Sequence, residues 1–129
     1  MREPYKPHPN LSAEINNALA SQELMGGVWL KRPSGDSVKD EPFLPVGKAL
    51  KVQTRDTLYV IEKRGEDEFY ISGNAKYCPK PTRCYIQGSN YGGSMLRLDY
   101  VGRGMYMEFS TDDHPRVIVT SQIQEITEI

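Results

Sequence analysis

The sequence has few of the features that mark membrane, secreted or disulfide-stabilised proteins. Its 2 cysteines in 129 residues are too few for the disulfide framework of a small secreted domain. Apolar runs are only a few residues long, as at 58–61, whereas a membrane-spanning helix needs ~20 predominantly apolar residues. The first charges of the N-terminus are not followed by the apolar run of a secretory signal. We therefore expect a cytoplasmic, reduced protein that makes no membrane contact.

The sequence also lacks a large net charge. It has 16 basic and 17 acidic residues and a formal net charge of -1, so the whole molecule is not expected to attract nucleic acid or anionic membranes. The length suits one domain, and a chain of this size can bury roughly two-thirds of its unfolded surface without metals or disulfides. We predict an extended, proline-rich arm over 1–10 and a single domain over 11–129.

One helical pattern precedes the rest of the chain. It predicts an N-terminal α-helix at about 11–24, because four apolar residues share one helix face: Leu11, Ile15, Ala18 and Leu19. Prolines and charged residues then predict an irregular connection at about 28–46. A connection of this length either folds over a site or only links two elements.

Beyond Gly47 the side chains alternate with a period of two. We predict six or seven short strands, with candidates at 49–54, 57–63, 68–72, 82–87, 94–101, 105–110 and 116–120. Links as short as 64–67 and 102–104 predict hairpins. The fold class is therefore mainly β, a small antiparallel β-barrel or rolled sheet with a meander-like order, at about 48–121. The short C-terminal element is either a helical turn or a last strand, because isoleucines recur there at Ile123, Ile126 and Ile129.

Two cysteines flank a proline turn. Cys78 and Cys84 lack partners for a zinc site, since zinc needs four ligands and the other soft candidates are His8 and His114. We predict no metal site and no cofactor. We predict two free thiols, and a disulfide between Cys78 and Cys84 is the alternative. A cysteine aligned with His114 would be the arrangement of an enzyme. Nothing in the sequence requires that alignment, so we predict that the protein is not an enzyme.

The charges are unevenly distributed along the chain. Residues 76–103 carry five basic residues against Asp99, and 104–129 carry five acidic residues against Arg116. The basic stretch also holds tyrosines, and cations between aromatic rings on a small barrel are typical of single-stranded nucleic-acid binders. An ordinary solvated sheet surface has the same composition. We predict a ligand-binding surface around the 76–93 loop region that consists of Lys76, Tyr77, Lys80, Arg83, Tyr85, Tyr91, Arg97 and Arg103.

These patterns favour a non-catalytic small-barrel binding or interaction module with an unknown ligand. The expected partner is a protein or a second copy of the chain. The opposite charges of the two C-terminal segments fit a self-associating structural or assembly protein, whose solution mass would lie well above 14.6 kDa. Single-stranded nucleic-acid binding is the third hypothesis, and it predicts an affinity that falls steeply with salt.

Overall fold

The mainly-β prediction is confirmed. The computed structural model of the protein describes residues 26–32, 41–93 and 95–129, and the regular structure in these ranges is entirely β. The predicted arm and the predicted helix at 11–24 lie outside the described residues. Within the described ranges, no helix is long and apolar enough to cross a membrane. The strands are β1 (Gly27–Trp29), β2 (Ala49–Thr54), β3 (Leu58–Gly65), β4 (Glu68–Ser72), β5 (Thr82–Asn90), β6 (Arg97–Leu98), β7 (Tyr100–Gly102), β8 (Tyr106–Thr111) and β9 (Ile118–Glu128).

Six of the strands close into an antiparallel barrel. Their order is β4-β3-β2-β9-β8-β5, and β4 also pairs with β5. Each barrel strand therefore pairs with the barrel strands that precede and follow it in the chain, and the last strand, β9, pairs with the first, β2. This order is a meander, as predicted. Closure gives each of the six strands neighbours on both sides.

Period-two alternation fills the interior. In β3, Tyr59, Ile61 and Lys63 are buried, and the residues between them are partly exposed. Leu50 and Val52 of β2 pair with Ile61 and Tyr59, so apolar side chains of neighbouring strands meet inside the barrel. Each aliphatic side chain buried in this way contributes roughly 1.5–3 kcal/mol. The hairpin predicted at 64–67 is also confirmed, since Gly65 pairs with Glu68.

The strand directions define two ends of the barrel. The end that we call upper carries the loops 55–57, 73–81 and 112–117, and the lower end carries 66–67 and 91–105. The 9 residues of β5 connect the two ends. At ~3.3 Å per residue, β5 is about 27 Å long, so one small ligand cannot contact loops at both ends.

The chain between β5 and β8 differs from the prediction. The strand predicted at 94–101 is two short strands, because Asp99 has a φ of 58° and turns the chain. β6 pairs with β5 and β7 pairs with β1, whereas β8 pairs with β5 and β9. The hairpin predicted across 102–104 is therefore wrong. Gly88 permits the close approach of β6, since a Cβ at Gly88 would lie 1.9 Å from the carbonyl oxygen of Arg97.

A small second layer covers the lower end. β1 lies at the start of the stretch predicted to be irregular and pairs antiparallel with β7. On its other side the Trp29 amide donates to the Pro42 carbonyl (3.0 Å), and the Leu44 amide donates to the Trp29 carbonyl (2.8 Å). Val28, Leu44 and Val101 are buried beneath this layer and extend the core. At the C-terminus the chain forms a strand and not a helical turn. This segment belongs to one long strand, β9 (Ile118–Glu128).

Candidate interaction site at the lower end

Three aromatic side chains form a row on the outer side of the lower layer. Trp29 pairs with Tyr100 of β7 on one side and is bridged to Phe43 on the other. Because Val28 and Leu44 point into the core, the alternating aromatic residues point away from it, and all three are half-buried. The Trp29 and Tyr100 ring centroids are 4.9 Å apart in an edge-to-face arrangement.

Two arginines lie over the rings of this row. The guanidinium carbon of Arg97 lies 3.9 Å from the ring centroid of Tyr100 and 5.1 Å from that of Trp29. The guanidinium carbon of Arg32 lies 4.5 Å from the ring centroid of Phe43. Such cation–π contacts hold a planar guanidinium in one orientation. We call these five residues the arginine–aromatic row: Arg97, Tyr100, Trp29, Phe43 and Arg32.

Glycines and one carboxylate fix the rings. A Cβ at Gly27 would lie 1.9 Å from the Tyr100 hydroxyl, and a Cβ at Gly102 would lie 2.8 Å from the Tyr100 ring. The ring of Tyr100 therefore lies across the Gly27–Gly102 pair. The Trp29 indole N–H donates a hydrogen bond to the Glu41 carboxylate, which sets the orientation of the indole.

A buried lysine joins this layer to the barrel. Lys63 points inward from β3 and is 3% exposed. Its ammonium donates hydrogen bonds to the carbonyls of Leu30 (2.8 Å) and Leu44 (2.9 Å), one on each of the segments that carry the row. Burial lowers the pKa of Lys63, because it disfavours the charged form.

An apolar loop lies beside the row. Four large apolar side chains between β5 and the end of β6 are exposed, namely Tyr91 (58%), Met95 (78%), Leu96 (40%) and Leu98 (65%). We call these four residues the apolar loop. The chain that enters it is held in place, since the Asn90 side-chain oxygen accepts hydrogen bonds from the amides of Gly92 and Gly93, both 2.7 Å.

The structure separates the eight predicted site residues into three groups. Lys76, Tyr77 and Lys80 lie in the upper loop 73–81, where the Tyr77 ring packs edge-on against the ring of His114 at 4.9 Å. Tyr91, Arg97 and Arg103 lie at the lower end. Arg83 and Tyr85 lie in β5, on the outer wall of the barrel.

Only part of the lower group reaches the row. Arg97 belongs to the row and Tyr91 belongs to the apolar loop. The Arg103 side chain donates to the carbonyl of Gln124 at 3.1 Å and lines a shallow groove beside Gly26. The groove lies at the Gly27–Gly102 end of β1, opposite the end that Trp29 forms. The eight residues therefore do not form one contact surface.

Both cysteines lie in the core as free thiols. Burial raises the pKa of Cys78, and burial together with the nearby Cys78 and Asp112 raises the pKa of Cys84 to about 12. A thiol with such a pKa is almost entirely protonated at neutral pH and is a poor nucleophile. Among the described residues, no cluster of three or more metal-ligating side chains could hold an ion.

Most of the row lies outside the predicted binding surface. Trp29, Arg32 and Phe43 fall in the stretch predicted to be an irregular connection, and Lys63 falls in a predicted strand. In the sequence β1 is marked only by three consecutive apolar residues, Val28, Trp29 and Leu30, and so short a run does not distinguish a strand from a loop. Comparison with known protein families, with curated proteins and with solved structures finds no match to the chain.

Proposed function

We propose that this protein is a non-catalytic interaction module of the cytoplasm that binds a protein partner through the lower end of its barrel. The observation that carries the proposal is the apolar loop. Large apolar side chains exposed together cost free energy in water, and on soluble proteins they commonly mark interaction sites. The free, buried thiols of Cys78 and Cys84 support a reducing compartment.

The surroundings of the apolar loop support a protein partner. Arg97 follows Leu96 directly, and the row adds tryptophan and tyrosine. Apolar side chains beside tryptophan, tyrosine and arginine have the composition of the energetic centre of protein interfaces. The hydrogen bonds of Asn90 reduce the freedom of the chain at 92–93, so less conformational entropy is lost on binding.

Retention of a partner tests this proposal. The Met95→Ser/Leu98→Ser double variant and the wild type are immobilised, and the proteins that each retains from a lysate are quantified. The matched control is Val46→Ser, because Val46 is also exposed (45%) but lies outside the apolar loop. We expect a protein that is retained by the wild type and by the control and is lost on the double variant. The same proteins on all three baits would contradict the proposal.

Self-association is a second candidate, and a different surface favours it. Three large apolar residues are exposed on the outer wall, where Tyr85 pairs with Ser110 of β8 and Val119 pairs with Glu108, with Val117 two residues before Val119. Val117 directly precedes β9, and side chains two apart in an extended segment share a face, so the three lie on one outer face with Glu108 beside Val119. Light scattering should then give a mass well above 14.6 kDa, and Val119→Asp should restore the monomer mass. A monomer at high protein concentration would contradict self-association.

A further inference from the structure

The two arginines of the row lie over aromatic rings, and neither has an ion-pair partner among the described residues. A guanidinium that stacks on a ring uses its face, and its five N–H groups lie in its plane. The ion pairs found between described residues involve Lys31, Arg55 and Arg64, and neither Arg97 nor Arg32 takes part in one. Neither guanidinium is therefore neutralised by a carboxylate of the described residues, and each can take a bidentate acceptor from a partner.

We propose that the arginine–aromatic row binds two carboxylates of an extended acidic segment of the partner. The inference rests on the proposed function, and it assigns a partner chemistry to the surface beside the apolar loop. Carboxylates match the guanidinium fork with two parallel hydrogen bonds. Contact with the rings already restricts the arginines, so binding does not cost the full rotamer entropy of two free side chains.

The occupied ring faces favour an acidic peptide over a nucleic acid. Bases bind aromatic platforms by stacking on a free ring face. In the row, Arg97 lies over Tyr100 and near Trp29, and Arg32 lies over Phe43. A base would have to displace an arginine to stack, whereas a carboxylate binds the guanidinium edge and leaves the stack intact.

The strand spacing sets the separation of the two carboxylates. Tyr100 and Phe43 lie on opposite sides of β1, two strand spacings apart, which is about 10 Å at ~4.8 Å per spacing. Arg97 lies over Tyr100 on the side toward Trp29, and Arg32 lies over Phe43, so the two guanidinium groups are separated by about the same distance. Side chains four apart in an extended peptide share a face and are about 13 Å apart, and the long glutamate and arginine side chains can close the difference of about 3 Å. A segment with the pattern Glu-x-x-x-Glu therefore fits the row.

Trp29 gives a direct readout, because it is the single tryptophan of the chain and lies in the row. Its fluorescence is titrated at low salt with a synthetic Glu-x-x-x-Glu peptide that has glycine, serine and threonine at the other positions. A peptide with both glutamates replaced by glutamine and an oligo-dT strand serve as alternative ligands. We expect saturable binding of the acidic peptide that weakens as salt rises, and much weaker binding of the other two.

Arginine-to-lysine variants keep the charge and remove the fork. We expect Arg97→Lys and Arg32→Lys each to weaken peptide binding about tenfold, since each loses one bidentate contact. Arg83→Lys is the matched control on the wall and should stay within about twofold of the wild type. Glu41→Gln should strengthen binding, because it removes a negative charge beside the row.

Three outcomes would overturn the inference. They are equal affinity for the glutamine peptide, tighter binding of oligo-dT than of the acidic peptide, and unchanged affinity in both lysine variants. Failure of the proposed function can be distinguished from failure of this inference. If the Met95→Ser/Leu98→Ser variant loses its partner while Arg97→Lys retains it, the interaction site stands and only the acidic segment is wrong.

Discussion

At the scale of single residues, Gly27 controls the position of a ring in the row. A Cβ on Gly27 would overlap the hydroxyl of Tyr100 at 1.9 Å and the adjoining ring carbon at 2.4 Å. We predict that Gly27→Ala displaces Tyr100, changes the fluorescence of Trp29 and weakens acidic-peptide binding. The stability loss should be about 1–2 kcal/mol, because the overlapping atoms belong to a side chain that can move. Urea unfolding and the emission spectrum measure these two effects.

The adjoining glycine provides the control. A Cβ on Gly26 would meet no atom within 4 Å. Gly26→Ala should therefore leave the Trp29 emission and peptide binding unchanged. If the two variants behave alike, close packing of Tyr100 on Gly27 does not determine the shape of the row.

Cys84 should make stability depend on pH in the alkaline range. Its thiol has a pKa of about 12 in the folded protein, against 9.0 as its ordinary value. Between these values the unfolded chain releases a proton that the folded chain retains, so rising pH favours unfolding. We predict that the wild type loses stability relative to Cys84→Val above pH ~9, by up to ~1.4 kcal/mol per pH unit. Urea unfolding at several pH values under reducing conditions checks this.

Cys78→Val is the companion variant for this experiment. Burial raises the pKa of Cys78 as well, so it should deviate from the wild type in the same direction. Below pH ~8 the difference between the wild type and either variant should stay constant, since the thiol is then protonated in both the folded and the unfolded chain. A constant difference up to pH 10.5 would show that the folded protein does not shield the Cys84 thiol.

At the scale of elements, Lys63 is the connection between the barrel and the layer that carries the row. Lys63→Met keeps the length and apolar stem of the side chain but removes the donors to the Leu30 and Leu44 carbonyls. Unpaired buried carbonyls are costly, whereas loss of a buried charge is favourable. We therefore predict a net stability change within about 2 kcal/mol. The lower layer should loosen, and the emission of Trp29 should shift to the red.

Hydrogen exchange separates loosening of the layer from global unfolding. In Lys63→Met, protection should fall for the amides of Trp29 and Leu44 and persist in β2 and β3. Lys48→Met is the control, because Lys48 is exposed and lies one residue before β2. If the Trp29 emission of Lys63→Met matches the wild type, the lysine does not position the layer.

The regular strands could be predicted from the sequence, whereas the irregular segments could not. The predicted bounds of β2 and β4 agree with the structure, because turn residues limit both alternating segments. The segment 94–101 also alternates, but Asp99 takes a left-handed conformation that alternation does not report. Leu96 and Leu98, which would share the buried face of a regular strand, are exposed instead, and so is Met95.

The site was harder to predict because its residues are far apart in the chain. Arg97 was a predicted site residue, but it was grouped with cations near it in sequence, such as Lys80. Its observed neighbours include Trp29, which is brought to it by pairing of β1 with β7. That pairing joins a three-residue strand to another of the same length. Strands so short have no detectable period.

At the scale of the whole molecule, closure of the barrel depends on β9. It pairs with β2 near the start of the barrel and with β8, and it contributes the buried residues Ile123, Ile126 and Thr127. We predict that a variant that ends at Gln122 does not fold cooperatively. The two isoleucines alone account for roughly 3–6 kcal/mol of burial, a large part of the 5–15 kcal/mol that stabilises a typical domain. The variant also exposes the edge of β2, because all of its β9 partners lie beyond Gln122, and an open edge invites aggregation. Circular dichroism during thermal unfolding and the soluble fraction on expression measure both effects.

A variant that lacks only Ile129, which is 40% exposed, should unfold as the wild type does. A cooperative transition in the variant that ends at Gln122 would mean that β2–β8 hold together without closure.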